Sequence, residues 1–119
     1  MTDDAPAFEP LSSLFHGDRE RMRRTLEVFL QVVRTDGERL EAAFAGQDWA
    51  EIGRLMHRLK SSLRQIGEYA AAEAAVAMEA ALAGHVAGEA DARTTALRAV
   101  REELVQVEQR VARYLATEN

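Results

Sequence analysis

Residues 57–67 read HRLKSSLRQIG. At about 100° per residue, a helix over this stretch and the residues just before it has two distinct faces. The apolar face comprises Ile52, Leu55, Leu59 and Ile66, and the polar face comprises Gly53, Arg54, His57, Lys60, Ser61, Arg64 and Glu68. The apolar face predicts burial in a core. The polar face places a histidine one turn from a lysine, so this histidine is a candidate nucleophile or ligand in an electropositive setting.

Length and composition limit the class of protein. The 119 residues suit one domain, which buries about two thirds of the surface of its unfolded chain. The chain has no cysteine, so we expect neither a disulfide framework nor a thiolate metal site, and this suits a reducing compartment. No apolar run approaches the roughly 20 residues of a membrane span, and the acidic start at Asp3 and Asp4 does not suit a signal peptide. We therefore expect a cytoplasmic protein with no membrane partner.

The charge of the chain is unevenly distributed. A formal net charge of -5 argues against a nucleic-acid partner, because the phosphates would be repelled. Between Asp48 and Gly67, however, four basic residues stand against two acidic ones. Lys60 is the only lysine in the chain, so a compact ammonium group occurs only beside His57. This fits a site that needs a point charge rather than a planar guanidinium.

The N-terminal part is predicted to precede the main bundle. Residues 1–17 are interpreted as an aperiodic arm and a short helix, which Pro10 begins and Gly17 ends. We expect this helix to cap one end of the bundle. His16 lies at the turn that follows, where a structural or surface role is expected.

Residues 18–118 are predicted to form the bundle itself. Its first helix spans residues 18–45, because apolar residues recur there every three or four positions. Asp18 is the predicted N-cap and Gly46 the predicted stop. The apolar spacing continues across Gly37, and two helices broken at that residue are the alternative.

Two further helices follow. Asp48 and Glu51 have the spacing of a capping box, which predicts the start of the helix that carries the histidine and ends near Gly67. Residues 69–83 form an alanine-rich third helix, which Gly84 closes.

Met56 and Leu63 flank the polar face of the histidine helix. Two interpretations stay open for this pair. The side chains form an apolar rim for a docking partner, or they pack against the long first helix.

A last helix is predicted to begin at Asp91, after a loop in which His85 is exposed. Its apolar residues alternate at spacings of three and four, a pattern that also occurs in coiled-coil dimers. Three other amphipathic helices are available to cover this stripe, so we expect a monomer. Four amphipathic helices with short connections predict an all-α fold, an antiparallel up-down-up-down four-helix bundle with the histidine face turned to solvent.

The polar face suits phosphoryl transfer. A neutral imidazole keeps a lone pair on one ring nitrogen, so His57 is a candidate phosphoryl acceptor. Lys60 is a candidate cation for the phosphoryl oxygens, since such transfer depends on positioning and on nearby positive charge. Four further residues are candidates for binding: Ser61 and Gln65 as hydrogen-bond donors, and Arg54 and Arg64 as cations that steer an acidic partner.

This stretch resembles the signature of histidine-containing phosphotransfer (HPt) domains, in which a histidine is followed by a hydrophobic residue, a lysine, small residues and a glycine. The matching residues are His57, Leu59, Lys60, Ser61, Ser62 and Gly67. The resemblance covers roughly residues 18–116 and includes Phe29-Leu30, Leu40, Phe44, Gln47-Asp48-Trp49, Ile52 and Met78-Glu79. Two residues depart from the pattern: Ser61 stands where glycine is very common, and Leu63 where a small residue is usual.

The resemblance implies a passive phosphorelay intermediate. By this likeness His57 is the phosphorylated residue, Lys60 stabilises the phosphoryl group, and Gly67 is a close-packing position past the site. The implied partners are a response-regulator receiver domain and a hybrid sensor kinase. The receiver would donate the phosphoryl group from its aspartyl phosphate and would provide Mg²⁺, while this chain would bind no cofactor. The sequence has no GxxxxGK[ST] pattern, so we do not expect autophosphorylation from ATP.

Two other functions were open to the same residues. Metal sites in helix bundles use a Glu-x-x-His pair, but none of the three histidines has a glutamate three residues before it, so no metal site is predicted. The remaining alternative is a non-catalytic adaptor that binds a receiver or kinase without being phosphorylated.

Overall fold

The computed structural model describes residues 8–84 and 89–117. Five α-helices follow one another: α1 (Glu9–Leu14), α2 (Arg19–Ala45), α3 (Trp49–Gln65), α4 (Tyr69–Leu82) and α5 (Glu89–Thr117). The all-α prediction is confirmed for the described residues. Within these ranges, none of the helices has both the length and the apolar character that a membrane crossing requires. Most of the predicted N-terminal arm, and His85, lie outside the described residues.

The four long helices surround one hydrophobic core. Contacts join α2 to α3, α3 to α4, α4 to α5 and α5 back to α2, so the helices form a closed ring. The most enclosed side chains include Leu26, Val33, Leu40, Ile52, Leu55, Met56, Leu59, Leu63, Met78, Leu97, Val100, Val107 and Val111. Each buried side chain of this size contributes about 1.5–3 kcal/mol. Leu11 of α1 and Phe8, the N-cap residue before it, add to the same core, and the Phe8 ring meets Tyr114 edge-on at 5.4 Å.

Three polar contacts show how α2 and α5 are aligned with each other. They join Arg23 to the carbonyl oxygen of Leu115 at 2.7 Å, Arg34 to Glu108 at 2.9 Å, and Glu41 to Arg101 at 2.6 Å. The residue numbers rise along α2 while those of the partners fall along α5. Exposed ion pairs add little stability, so their main value here is as markers of alignment.

Helix α2 is continuous. It runs for 27 residues through Gly37, so the alternative of two helices is wrong. Asp18 is the N-cap, and its Oδ1 accepts a hydrogen bond from the backbone N–H of Arg21 at 3.2 Å, as predicted. The apolar spacing on both sides of Gly37 outweighs the roughly 1 kcal/mol by which glycine disfavours a helix interior.

The turn between α2 and α3 places its left-handed residue one position after the predicted stop. Gly46 is the C-cap with an ordinary φ of -90°, whereas Gln47 has a φ of 54°. The backbone N–H of Gln47 donates to the carbonyl of Phe44 at 3.0 Å, and that of Asp48 donates to Ala43 at 2.7 Å. These two bonds form a Schellman motif, whose left-handed position favours glycine.

Asp48 begins α3, but the predicted capping box is only half formed. The Oδ1 of Asp48 accepts from the backbone N–H of Glu51 at 3.1 Å, which is the expected N-cap bond. The reciprocal bond is not made, because the N–H of Asp48 already belongs to the preceding turn. The carboxylate of Glu51 instead accepts from Arg54 Nε at 3.1 Å.

The end of α4 was predicted correctly from the sequence, whereas the start of α5 was not. Helix α4 is followed by Gly84 with a φ of 75°, so the predicted glycine stop is confirmed. Helix α5 begins at Glu89, and Asp91 therefore lies inside the helix instead of capping it. Acidic residues stabilise the whole first turn of a helix through its dipole, so an aspartate there does not by itself identify the cap.

Replacing Gln47 with glycine is expected to stabilise the fold. The left-handed conformation disfavours a Cβ by about 1–2 kcal/mol, and the greater freedom of glycine in the unfolded chain offsets part of that gain. We expect Gln47→Gly to raise the free energy of unfolding in urea by about 0.5–1 kcal/mol. Gly46→Ala is the control, since a Cβ there has its nearest contact at an ordinary 3.6 Å. Equal stability of Gln47→Gly and the parent chain would contradict the argument.

Candidate functional site

The two predicted faces of α3 are present in the structure. Ile52, Leu55 and Leu59 are buried in the core, as expected. Met56 and Leu63 are also fully buried, so they pack inside the bundle and do not form an apolar rim. Of α3 itself, a partner therefore contacts only the polar face. The edges of α2 and α4 lie on either side of that face.

His57 projects into solvent from the middle of α3, with 77% of its side chain exposed. The other exposed residues of the predicted site on this helix are Arg54, Ser61, Arg64 and Gln65. The helix thus brings five of the predicted site residues to one open surface. An exposed imidazole in the middle of a well-packed helix is accessible to a protein partner while its backbone is held rigidly.

Helix α4 contributes a carboxylate that the sequence interpretation did not assign to the site. Oε2 of Glu79 lies 3.5 Å from Nδ1 of His57, and Oε1 accepts a hydrogen bond from Nζ of Lys60 at 2.7 Å. One side chain of α4 therefore binds Lys60 and lies close to the ring of His57, the two residues that the sequence predicted for the site. The only signal for Glu79 in the sequence was its place in the family resemblance.

The position of Glu79 favours one form of the imidazole ring. The nitrogen that carries the proton in a neutral histidine is set by the hydrogen-bonding group beside it. A carboxylate accepts hydrogen bonds and does not donate them, so it favours the proton on Nδ1 of His57. The lone pair is then on Nε2, the nitrogen farther from Glu79.

Lys60 is bound to Glu79 and is less accessible than the sequence suggested. Its side chain is 22% exposed and that of Glu79 is 26% exposed. At 2.7 Å the contact is a short, charge-assisted hydrogen bond between α3 and α4. An incoming phosphoryl group would compete with this carboxylate for the ammonium. The predicted role of Lys60 in phosphate stabilisation stays a prediction.

Gly67 ends α3 and does not lie beside the histidine. It has a φ of 84°, its N–H donates to the carbonyl of Arg64 at 3.1 Å, and the N–H of Glu68 donates to that of Leu63 at 2.9 Å. This is a second Schellman motif, and glycine adopts its left-handed position without penalty. Helix α3 continues for eight residues beyond His57, to Gln65, so its end lies about 12 Å from His57. The role of Gly67 in this structure is to stop the helix.

Glu68, which the helical periodicity placed on the polar face, is turned away from it. The residue is buried after the end of α3, where its carboxylate accepts from Nε of Arg110 on α5 at 3.1 Å. This hydrogen bond raises the pKa of Arg110 above its usual value, against the opposing effect of partial burial. The periodicity misplaced Glu68 because the helix stops at Gln65, before this residue.

Arg58, the neighbour of His57 in the chain, faces α2. Its Nη2 donates to Oδ1 of Asp36 at 2.8 Å. The side chain of Arg58 is 50% exposed, whereas that of Asp36 is only 4% exposed. His57 therefore has an ion pair on each side, Lys60 with Glu79 towards α4 and Arg58 with Asp36 towards α2.

The described residues contain no cluster of three or more His, Cys, Asp and Glu side chains that could hold a metal ion. The chemistry available at the exposed face is that of an imidazole nitrogen with cations around it. Arg64 is a free cation with respect to the described residues, since none of them forms an ion pair with it.

Comparison with known proteins identifies one family. The model of the Hpt domain matches residues 24–110, which is well over half of the chain. No curated protein and no solved structure was found to match. The matched range contains the whole of α3 and α4, and with them the contacts among His57, Lys60 and Glu79.

Removing Glu79 is expected to change the proton position on His57. In the parent chain we expect the neutral ring to carry its proton mainly on Nδ1, and in Glu79→Ala mainly on Nε2, as in free histidine. Long-range ¹H–¹⁵N spectra of the imidazole rings measure this directly. His57→Gln assigns the signals, and the exposed His16 is an internal control that should not respond. An unchanged His57 spectrum in Glu79→Ala would contradict the proposed orientation of the ring.

Proposed function

The chain belongs to the Hpt domain family, and we propose that His57 is the residue that carries its phosphoryl group. Hpt domains are phosphotransfer modules of two-component phosphorelays, and this is the class of function of the chain. In the proposed reaction, His57 accepts the group from the aspartyl phosphate of a receiver domain and passes it to another receiver or back. The observation that carries the proposal is the exposed ring of His57 with Nδ1 beside Glu79.

The proposed architecture is an antiparallel up-down-up-down four-helix bundle with α1 across one end. Only three residues separate α2 from α3 and α3 from α4, which favours reversal of direction at each turn. The contacts between α2 and α5 also run in opposite directions along the two helices. The contact of Phe8, the residue before α1, with Tyr114 in the last turns of α5 supports the proposed position of α1. The bundle then acts as a rigid support for the exposed face of α3.

The proposed transfer uses the lone pair of Nε2. This nitrogen attacks phosphorus, a P–N bond forms, and the bond from phosphorus to the aspartyl oxygen breaks, so the receiver regains its carboxylate. The ring keeps its proton on Nδ1 and becomes positively charged as the bond forms. The carboxylate of Glu79, 3.5 Å from Nδ1, stabilises that charge. The same contact favours the opposite step, since transfer to a second receiver follows the same path in reverse.

The cations around His57 have different proposed roles. Lys60 interacts with the equatorial oxygens of the transferring group, and Arg54 and Arg64 attract the acidic surface of the receiver. Ser61 and Gln65 are exposed on the same face and donate hydrogen bonds to the phosphoryl group or the partner. The receiver supplies Mg²⁺, while this chain supplies the histidine and its orientation.

The proposed setting is a cytoplasmic relay between a hybrid sensor kinase and a response regulator, with this chain as a monomer. The adaptor alternative uses the same face and the same partners, but it needs no phosphoryl group on His57. Covalent labelling therefore separates the two functions, since only the relay forms a P–N bond.

Phosphoryl transfer from a ³²P-labelled receiver domain of the same organism tests this proposal. We expect the chain to acquire a label that is labile in acid and stable in base, as a phosphoramidate is. His57→Gln should remove the label completely, while His16→Gln, which changes another exposed histidine, should retain it. A folded chain that acquires no label from any receiver, or a label that persists in His57→Gln, would reject His57 as the acceptor. Receiver binding without labelling would favour the adaptor.

Loss of Lys60 is expected to slow the chemical step. Removing a group that stabilises transition-state charge typically lowers the rate by two to three orders of magnitude in a buried site, so at this partly exposed one we expect about tenfold to a hundredfold. Lys60→Gln should show this loss in single-turnover transfer at saturating receiver. Arg98→Gln is the control, because it removes one positive charge from an exposed position on α5. Equal rates for Lys60→Gln and the parent chain would exclude a role for Lys60 in transfer.

A further inference from the structure

A buried acid lies directly beneath the neighbour of the histidine. Asp36 belongs to the middle of α2, where the residues around it on the same face pack into the core. Its Oδ1 accepts from Arg58 at 2.8 Å. Its Oδ2 is buried and has no hydrogen-bond partner among the described residues. Arg58 itself remains half exposed beside His57.

This ion pair is poorly explained as a source of stability. Burying a carboxylate removes its hydration, and one half-exposed guanidinium at one oxygen repays that loss only in part. The unsatisfied Oδ2 adds a further penalty. Apolar residues that replace buried ion pairs often leave stability unchanged or raise it. Stability therefore does not account for the pair, and its position next to His57 suggests a role in function instead.

The main effect of Asp36 is on the arrangement of Arg58. A guanidinium has five N–H donors, and the bond to Asp36 fixes the side chain while it uses the Nη2 group. The remaining donors belong to a side chain that is already ordered before a partner arrives. A long side chain without such a contact, as Arg64 is among the described residues, loses its rotamer freedom on binding. Arg58 is thus better prepared than Arg64 for a specific contact.

The counter-ion of Arg58 is also hidden from a partner. The carboxylates that pair with Arg54 and Lys60, those of Glu51 and Glu79, are both partly exposed. Asp36 is only 4% exposed and lies behind the guanidinium that it binds. An acidic group that approaches α3 therefore meets the positive side of the Arg58 pair without meeting its carboxylate.

We propose that Arg58, positioned by Asp36, is the anchor by which this module docks an acidic surface of its receiver domain on the α2 side of His57. The proposal rests on the proposed phosphorelay function and adds a specific contact to it. Arg58 is the docking residue, and Asp36 is a positioning residue that acts through it. Exposed Val32, one turn before Asp36 on the same side of α2, adds apolar surface to the same edge.

Receiver affinity measured separately from chemistry tests this assignment. All variants carry His57→Gln, and the probe is a purified receiver domain treated with beryllofluoride, which mimics its aspartyl phosphate. We expect Asp36→Leu to raise the Kd for the receiver about threefold to tenfold, the range expected when one long side chain must be ordered on binding. The double variant Asp36→Leu/Arg58→Gln, which leaves no unpaired buried charge, should raise Kd at least tenfold, and the Tm of both variants should not fall.

The control is a more exposed ion pair on the opposite side of α2. Arg34 and Glu108 lie 2.9 Å apart between α2 and α5, so Glu108→Leu/Arg34→Gln likewise removes one acid and one arginine, but away from α3. This control should bind the receiver as the parent chain does. Asp36→Asn, which preserves size, is a second variant in case leucine does not fit, and it should raise Kd without lowering Tm.

Three results would overturn the assignment. The first is an unchanged Kd in the double variant, and the second is an equal loss of affinity in the control. The third is a lower Tm in Asp36→Leu and in Asp36→Asn while both retain their affinity for the receiver. The last result would mean that the pair serves the fold. Failure of the phosphorelay function is distinguishable, because it appears as missing label on the parent chain whatever the effect of Arg58 on binding.

Discussion

The candidate site depends on one carboxylate, that of Glu79, which reaches from α4 to two side chains of α3. It accepts from Lys60 at 2.7 Å and lies 3.5 Å from Nδ1 of His57. This contact requires α3 and α4 to pack closely, and the composition of α4 permits it. Buried alanines at 71, 72 and 75 occupy little space between the helices, and Leu82 passes close to Gly53 on α3. Small residues in α4 therefore allow the acid to lie within 3.5 Å of the exposed ring, where a carboxylate favours the proton on Nδ1.

The two sides of His57 differ in a way that suits different tasks. On the α4 side, Lys60 and Glu79 are both largely buried and form a short hydrogen bond. This side therefore influences the protonation of the ring and the charge that the proposed transfer develops next to it. On the α2 side, the acid is almost fully covered and the arginine is half exposed, so this side presents a fixed cation to the surroundings. The proposed chemistry and the proposed recognition thus lie on opposite sides of one helix.

The sequence predicted the parts of this arrangement that depend on one helix. Apolar spacing of three and four located the buried face of α3, and the exposure of His57 followed from the same periodicity. The contacts with Asp36 and Glu79 depend on how neighbouring helices align, and a single sequence carries little information on that alignment. Gly46 does end α2 as predicted, but no signal in the sequence indicated that the left-handed residue of the turn would be Gln47, where the Schellman bonds place it. Glu68 was misplaced for a related reason, since periodicity has no meaning beyond the end of a helix.

The charges around His57 also bear on the stability of the proposed phosphorylated state. Before phosphorylation, Lys60 and Glu79 neutralise each other beside the ring. A phosphoryl group on Nε2 brings negative charge close to this pair, where it is attracted by the ammonium and repelled by the carboxylate. Glu79 thus stabilises the positive ring of the intermediate while it opposes the phosphate on that ring. Because attraction and repulsion oppose each other, they limit the stability of the proposed phosphorylated state. A limited stability suits a relay, since a module that bound its phosphoryl group too tightly would not pass it on. The pairing of Lys60 with Glu79, which makes the lysine a weaker phosphate ligand than a free cation, is consistent with a site that holds the group only briefly.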